Sequence, residues 1–150
     1  MSRKLSRFLA LSLPERRVLL QAMLLLPLFW AGLRVLGLSR LHSWATHAPR
    51  AAGAPRPDVE PVIIGALINS AGNHVPFPST CLTRSLLLIW LLHRRGVRSE
   101  LRIGVRTIDG RLDAHAWVEY AGRPLNDAQD VAERFAAFEG PLSPESFSSS

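Results

Sequence analysis

The chain has 150 residues, of which 47% are hydrophobic and 20% are charged, with a formal net charge of +6. This length predicts one domain with a buried core, and the composition excludes an intrinsically disordered chain. A single cysteine excludes an intrachain disulfide and suits a reducing cytoplasm. The arginines are spread along the chain and form no single basic and aromatic patch, so we do not expect a nucleic-acid partner.

The first predicted element is an N-terminal helical segment. Pro14 and Glu15 are typical of a helix start, and residues 18–33 are almost entirely apolar, with Pro27 predicting a kink. Sixteen residues are fewer than the roughly 20 that a spanning helix needs, so we expect buried or partner-binding helices. Contact with a membrane surface is one alternative. A signal peptide is another, because the basic residues Arg3, Lys4 and Arg7 precede the apolar run, but Glu15, Arg16 and Arg17 directly before the run argue against it.

A connector rich in Pro, Ala and Gly follows at residues 47–57. It divides the chain into an N-terminal helical segment with its connector, residues 1–57, and a core, residues 58–150. At the start of the core, Asp58 is expected to cap a helix over Val59–Ser70, and prolines mark the loop that follows it.

The core continues with one helix and a small sheet. Ser79 or Thr80 is the expected N-cap of a helix that ends at Gly96. Alternating residues predict antiparallel strands over 98–106 and 112–120, which Asp109-Gly110 joins, and a short strand over 124–127. A last helix is expected over 131–138. These elements predict an α+β fold, with N-terminal helices and a catalytic helix packed on a small antiparallel sheet.

Cys81 is the candidate nucleophile because it lies in the first turn of the predicted helix. Unpaired backbone N–H groups and the positive end of the helix dipole favour a thiolate there. The same N–H groups could hold the oxyanion of a tetrahedral intermediate, and Asn73 is a side-chain candidate for that role. A buried, inert cysteine is the alternative, and lack of reaction with iodoacetamide would favour it.

His115 and Asp127 complete the candidate triad. His115 lies on the face of its strand opposite the alanines, and a hairpin near Gly122 would bring Asp127 close to it. A carboxylate there could orient the imidazole. Asn126 could serve the same purpose, whereas Asp130 is better suited to a helix cap.

Other polar residues have simpler interpretations. Arg84 is expected in an ion pair and Ser85 in a packing contact. Gly104 leaves room for a substrate backbone or marks a bulge. His74 and His93 could join Cys81 and His115 around zinc, but their spacing fits no familiar zinc site.

The order of a Cys at a helix start, a His on the next strand and an Asp on the following one resembles papain-like and transglutaminase-like cysteine enzymes. Residues 78–128 resemble the transglutaminase-like leader peptidases of lasso-peptide biosynthesis. The most specific pieces are the runs Cys81-Leu82-x-Arg84-Ser85-Leu86 and Ala114-His115-Ala116-Trp117-Val118-Glu119.

This resemblance implies that Cys81 is the nucleophile, His115 the general base and acid, and Asp127 the orienting acid. It implies a substrate, the leader region of a lasso-peptide precursor, and two partners: a small leader-recognition protein and an ATP-dependent cyclase. We expect no cofactor and no metal. The alternatives are an acyl transferase of the transglutaminase type that uses the same triad, and a non-catalytic, membrane-associated scaffold.

Overall fold

The computed structural model describes residues 3–47, 59–76, 79–127 and 129–137. In chain order its elements are α1 Arg3–Ala10, α2 Leu13–His47, α3 Pro61–His74, α4 Cys81–Arg94, β1 Glu100–Ile108, β2 Arg111–Tyr120, β3 Arg123–Pro124, α5 Val131–Arg134 and β4 Ala136–Ala137.

The long element α2 consists of two helices joined at Gly37, where φ is 80° and ψ is 169°. The ring centroids of Phe29 and Trp44 are 6.1 Å apart, whereas a straight helix would separate two residues at this spacing by about 22 Å. The chain therefore turns back at Gly37, which adopts a positive φ without strain because it has no Cβ. The backbone stays helical at Pro27, where the sequence predicts a kink, and the break in α2 lies ten residues later.

Within the described part of the chain, α2 is the one helix long and apolar enough to cross a membrane, judged by length and composition. Signal sequences and the core helices of soluble proteins share both properties.

The helix α4 begins and ends where the sequence predicts. Thr83 N–H donates to Thr80 Oγ1 at 3.2 Å, which caps the first turn. At the other end, Gly96 has a φ of 76°, and Val97 N–H donates to the carbonyl of Leu92 at 2.9 Å. The helix α3 begins at Pro61, later than expected, and its predicted cap Asp58 lies outside the described residues.

The core forms around α4, which packs against α2, α3 and β2. Six of its apolar side chains are almost fully buried: Leu86, Leu87, Leu88, Ile89, Leu91 and Leu92. The helix α4 carries few polar residues because other elements cover it on most sides.

Four antiparallel strands form the sheet in the order β3-β2-β1-β4. The hairpin of β1 and β2 turns at Asp109 and Gly110, which both have positive φ. Ala116 and Val118 of β2 join the core around α4, whereas Trp117 packs with a second cluster on the other face. The α+β architecture predicted from the sequence is confirmed.

The C-terminal part of the sheet differs from the prediction. The strand β3 spans only Arg123–Pro124, and the helix expected over 131–138 ends at Arg134. Residues Ala136–Ala137 then pair with β1, whose edge is open there. Phe135 is buried against Gly104 of β1 and the Trp117 ring of β2. Burial of this ring and pairing with β1 replace continuation of the helix. Residue 138 lies outside the described part.

Candidate active site

Cys81 is the first residue of α4, and its thiol is free and partly buried. The preceding Thr80 is extended, with φ −81° and ψ 160°, and its side chain caps the helix. The cap fixes where the helix starts, so it also fixes the position of Cys81 in the first turn, as the sequence predicts.

His115 projects from the middle of β2, opposite Gly104 of β1. Its Nε2 contacts Oδ2 of Asp127. Asp127 lies beyond the end of β3 and is not a strand neighbour of His115, contrary to the expected cross-strand pair. The segment instead follows the open edge of β2, where Leu125 N–H donates to the Val118 carbonyl at 2.8 Å.

Cys81, His115 and Asp127 line one cleft of about 670 Å³, bounded by α3, α4 and the edge of β2. Among the described residues, no hydrogen bond joins the thiol to the imidazole. Catalytic hydrogen bonds are often long without substrate and tighten when substrate binds. Since Asp127 occupies Nε2 of His115, Nδ1 is the nitrogen that can receive a thiol proton.

Asn126 directs its hydrogen bonds to residues other than His115 and anchors the segment that carries Asp127. Its Oδ1 accepts from Val118 N–H at 2.8 Å, and its Nδ2 donates to Ser85 Oγ at 3.0 Å. Its carbonyl accepts from Asn69 Nδ2 at 2.9 Å. These bonds tie the segment to β2, α4 and α3, so Ser85 is part of a polar network and not only a packing contact.

Two residues that the sequence analysis missed surround the His115–Asp127 pair. Arg134 Nη2 donates to the second carboxylate oxygen of Asp127 at 3.3 Å. The Phe135 ring stacks on His115, with centroids 5.0 Å apart and planes 26° apart. Both residues lie in the stretch 131–138 for which the sequence predicts a helix, and no local pattern indicates their approach to His115 and Asp127.

Gly104 makes room for this aromatic packing. A Cβ at this position would lie 2.7 Å from Cβ of Phe135 and 3.0 Å from the Trp117 ring. Glycine is needed at position 104 because a side chain there would clash with Phe135 and Trp117. It does not leave room for a substrate backbone or mark a bulge, the two roles expected from the sequence.

Arg84 lies in the same cleft and is held by neutral partners. Its Nε donates to Ser79 Oγ at 2.6 Å, and its Nη2 donates to Asn73 Oδ1 at 3.1 Å. The expected ion pair is wrong for the described residues. The guanidinium takes up the space above Gly72, where a Cβ would come within 2.3 Å of Nε. Asn73, the side-chain candidate for the oxyanion, thus uses its carbonyl oxygen to hold Arg84.

Asp130 and His93, which the sequence also singled out, do not line the cleft with the candidate triad. Asp130 occupies the N-cap position of α5 without a capping hydrogen bond, and its carboxylate pairs with Arg134 at 3.4 Å. His93 lies twelve residues after Cys81 on α4, about 18 Å along the helix axis. This distance excludes a shared zinc site, and no group of three metal-ligating side chains forms within the described residues.

A family model described as the transglutaminase-like superfamily matches residues 22–139. The chain belongs to the transglutaminase-like superfamily. The match includes all three candidate triad residues as well as most of α2. The resemblance inferred from the sequence is confirmed at this level.

One curated protein, the microcin J25-processing protein McjB of Escherichia coli, is 38% identical to this member of the superfamily over 60 residues. The matched stretch is 40% of this chain and only 28% of McjB. No solved structure matches the chain significantly. The comparisons therefore give the superfamily and a relative with a processing role.

Proposed function

We propose that this protein is a cysteine peptidase that removes the leader region from a ribosomally made lasso-peptide precursor. The observation that carries the proposal is the cleft shared by the Cys81 thiol and the His115–Asp127 pair. Membership in the transglutaminase-like superfamily and the similarity to a protein that processes microcin J25 support it.

In the proposed reaction, Cys81 Sγ attacks the carbonyl carbon of the scissile peptide bond while His115 Nδ1 takes the thiol proton. His115 returns this proton to the leaving amine, and a thioester remains on Cys81. His115 then activates a water molecule that hydrolyses the thioester. Asp127, bound to Nε2, orients the ring and stabilises the imidazolium.

The oxyanion of each tetrahedral intermediate would bind at the start of α4. Thr83 N–H is bonded to the side chain of Thr80, and Arg84 N–H to its carbonyl. The backbone N–H groups of Cys81 and Leu82 have no such bond within the described residues, so we assign the oxyanion to them.

We propose a cytoplasmic location, the leader region as substrate, and two protein partners: a small leader-recognition protein and the ATP-dependent cyclase that closes the ring. We also propose a functional division at residue 57. Residues 1–57 would serve in docking, and residues 58–150 would carry the chemistry.

The direct test is leader cleavage, followed by mass spectrometry, with the purified protein, candidate precursor peptides and the recognition protein. Cys81→Ala and His115→Ala should each lower kcat/KM at least about 10³-fold while the protein remains folded. His74→Gln is the matched control, because His74 is an exposed histidine outside the cleft. Full activity of Cys81→Ala would exclude the mechanism.

Superfamily membership also favours a second candidate, acyl transfer from the same thioester to an amine instead of water. The same assay with an added primary amine separates the two. Hydrolysis releases the cleaved peptide with a free carboxylate, which indicates a peptidase. Transfer to the amine gives a product whose mass exceeds that of the free acid by the mass of the amine minus one water, which indicates a transferase.

A further inference from the structure

The whole net charge of the chain lies in its N-terminal part. Residues 1–47 contain seven basic side chains and one acidic side chain, a net charge of +6. Residues 48–150 contain eleven basic and eleven acidic side chains and are neutral overall. The segment with α1 and α2 is therefore a cationic part attached to a neutral one.

The same segment exposes an apolar stripe. Of the fifteen large apolar side chains exposed among the described residues, ten belong to α1 and α2. On α2 the stripe consists of exposed residues at spacings of three or four: Leu20, Leu24, Leu28, Ala31 and Val35. It is about 22 Å long, and Leu24 and Val35 are 73% and 81% exposed. A soluble monomer seldom exposes a continuous apolar strip of this length.

The opposite face of α2 is built into the core. Val18, Ala22 and Leu26 are fully buried, and Phe29 is 4% exposed. These residues recur at the same helical spacing and pack with α3 and α4. Lipid could surround α2 on all sides only if this core came apart, so α2 can lie on a bilayer but cannot span it while the domain stays folded.

We propose that α1 and the exposed stripe of α2 dock the folded protein on an anionic bilayer surface. The leucines would enter the boundary between headgroups and acyl chains, with the helix axis in the membrane plane. Charge complementarity favours this occupant. Arg3, Lys4 and Arg7 of α1 are exposed, and Lys4 and Arg7 line one pocket with Leu19 and Met23, which neighbour Leu20 and Leu24 in α2. Arg17 is exposed about one helical turn before Leu20. The proposal is independent of the proposed peptidase activity.

Flotation of the full chain with vesicles tests the proposal. We expect binding to phosphatidylcholine vesicles that contain phosphatidylglycerol, at least tenfold weaker binding to phosphatidylcholine alone, and weakening by salt. Leu24→Glu combined with Leu28→Glu should lower binding at least tenfold. Leu112→Glu is the matched control, because Leu112 is 74% exposed on the β1–β2 hairpin, and this change should leave binding unaltered.

The charge requirement has its own variants. Arg3→Gln, Lys4→Gln and Arg7→Gln together should lower binding to the anionic vesicles about 100-fold, at about fivefold for each basic residue. Arg111→Gln, an exposed change on the hairpin, should have no such effect.

Several results would overturn the proposal. These are failure to float with any vesicles, equal binding to neutral vesicles, and resistance to alkaline extraction, which marks a spanning helix. Self-association that the Leu24 and Leu28 changes abolish, without vesicle binding, would assign the stripe to a second copy. Leader cleavage is measured separately without vesicles, so failure of the peptidase proposal would leave the flotation result intact.

Discussion

The Asp127 carboxylate has different partners on its two oxygens. Oδ2 contacts Nε2 of His115, and Oδ1 accepts from Arg134 at 3.3 Å. A carboxylate that is fixed on its outer side can hold the imidazole in one orientation and one tautomer, which is the role of the acid in a triad.

Asp127→Asn should therefore slow leader cleavage without abolishing it. The amide keeps the size of the side chain but loses the charge that stabilises the imidazolium, so we expect kcat/KM to fall about 10²- to 10⁴-fold. Arg134→Gln removes only the outer contact and should cost less than about tenfold. Wild-type kinetics in Asp127→Asn would show that Asp127 does not orient His115.

The sequence predicts the site residues that depend on local signals, but not the packing of Phe135 on His115. Cys81 and His115 could be singled out because a helix start and strand alternation are local signals. The stacking of Phe135 on His115 depends on β4 returning to the edge of β1, a long-range event. Gly104 hinted at a close approach, but its partner could not be read from neighbouring residues.

At the scale of elements, the start of α4 sets the position of Cys81. Thr80 Oγ1 accepts from Thr83 N–H and also lies 2.9 Å from Thr83 Oγ1, and Thr83 is fully buried. The cap therefore satisfies one orphan donor of the helix and one buried hydroxyl.

Thr80→Ala should lower the free energy of unfolding by about 1–2 kcal/mol, measured by urea denaturation. Thr80→Ser keeps the capping oxygen and should retain most of that stability. If Thr80→Ala were as stable as the wild type, the start of α4 would have to be fixed by packing and not by its cap.

The helices show where local signals fail. The boundaries of α4 follow from Thr80 and Gly96, because capping and positive φ are properties of single residues. The turn in α2 lies at Gly37, not at Pro27. The buried row from Val18 to Phe29 extends across Pro27 and packs on the core, which holds the helix on both sides of the proline. Tertiary packing thus overrides a local tendency.

At the scale of the whole molecule, the helical layer contains a buried titratable group. His42 is 5% exposed, in the part of α2 that follows Gly37. Burial lowers the pKa of His42 below its usual 6.5, and the nearby His47 lowers it further. The neutral imidazole is therefore favoured in the folded state, and its protonation lowers the stability of the fold.

The pH dependence of stability follows from this lowered pKa. Below about pH 6.5 the unfolded chain takes up a proton on His42 that the folded chain binds less readily, so the free energy of unfolding falls as the pH decreases. Above pH 6.5 the ionisation of His42 does not reduce the free energy of unfolding. Below pH 6.5 the reduction grows until the pH drops below the pKa of His42 in the folded state.

His42→Gln should remove this part of the pH dependence, because glutamine is neutral throughout the range. In urea denaturation between pH 7.5 and 5, the free energy of unfolding of the variant should fall less with decreasing pH than that of the wild type. This holds whatever the difference in stability between the two proteins at neutral pH. His74→Gln, which alters an exposed histidine, should follow the wild-type curve. Parallel curves for His42→Gln and the wild type would mean that His42 is protonated equally readily in both states, and acid sensitivity would then have to arise elsewhere in the molecule.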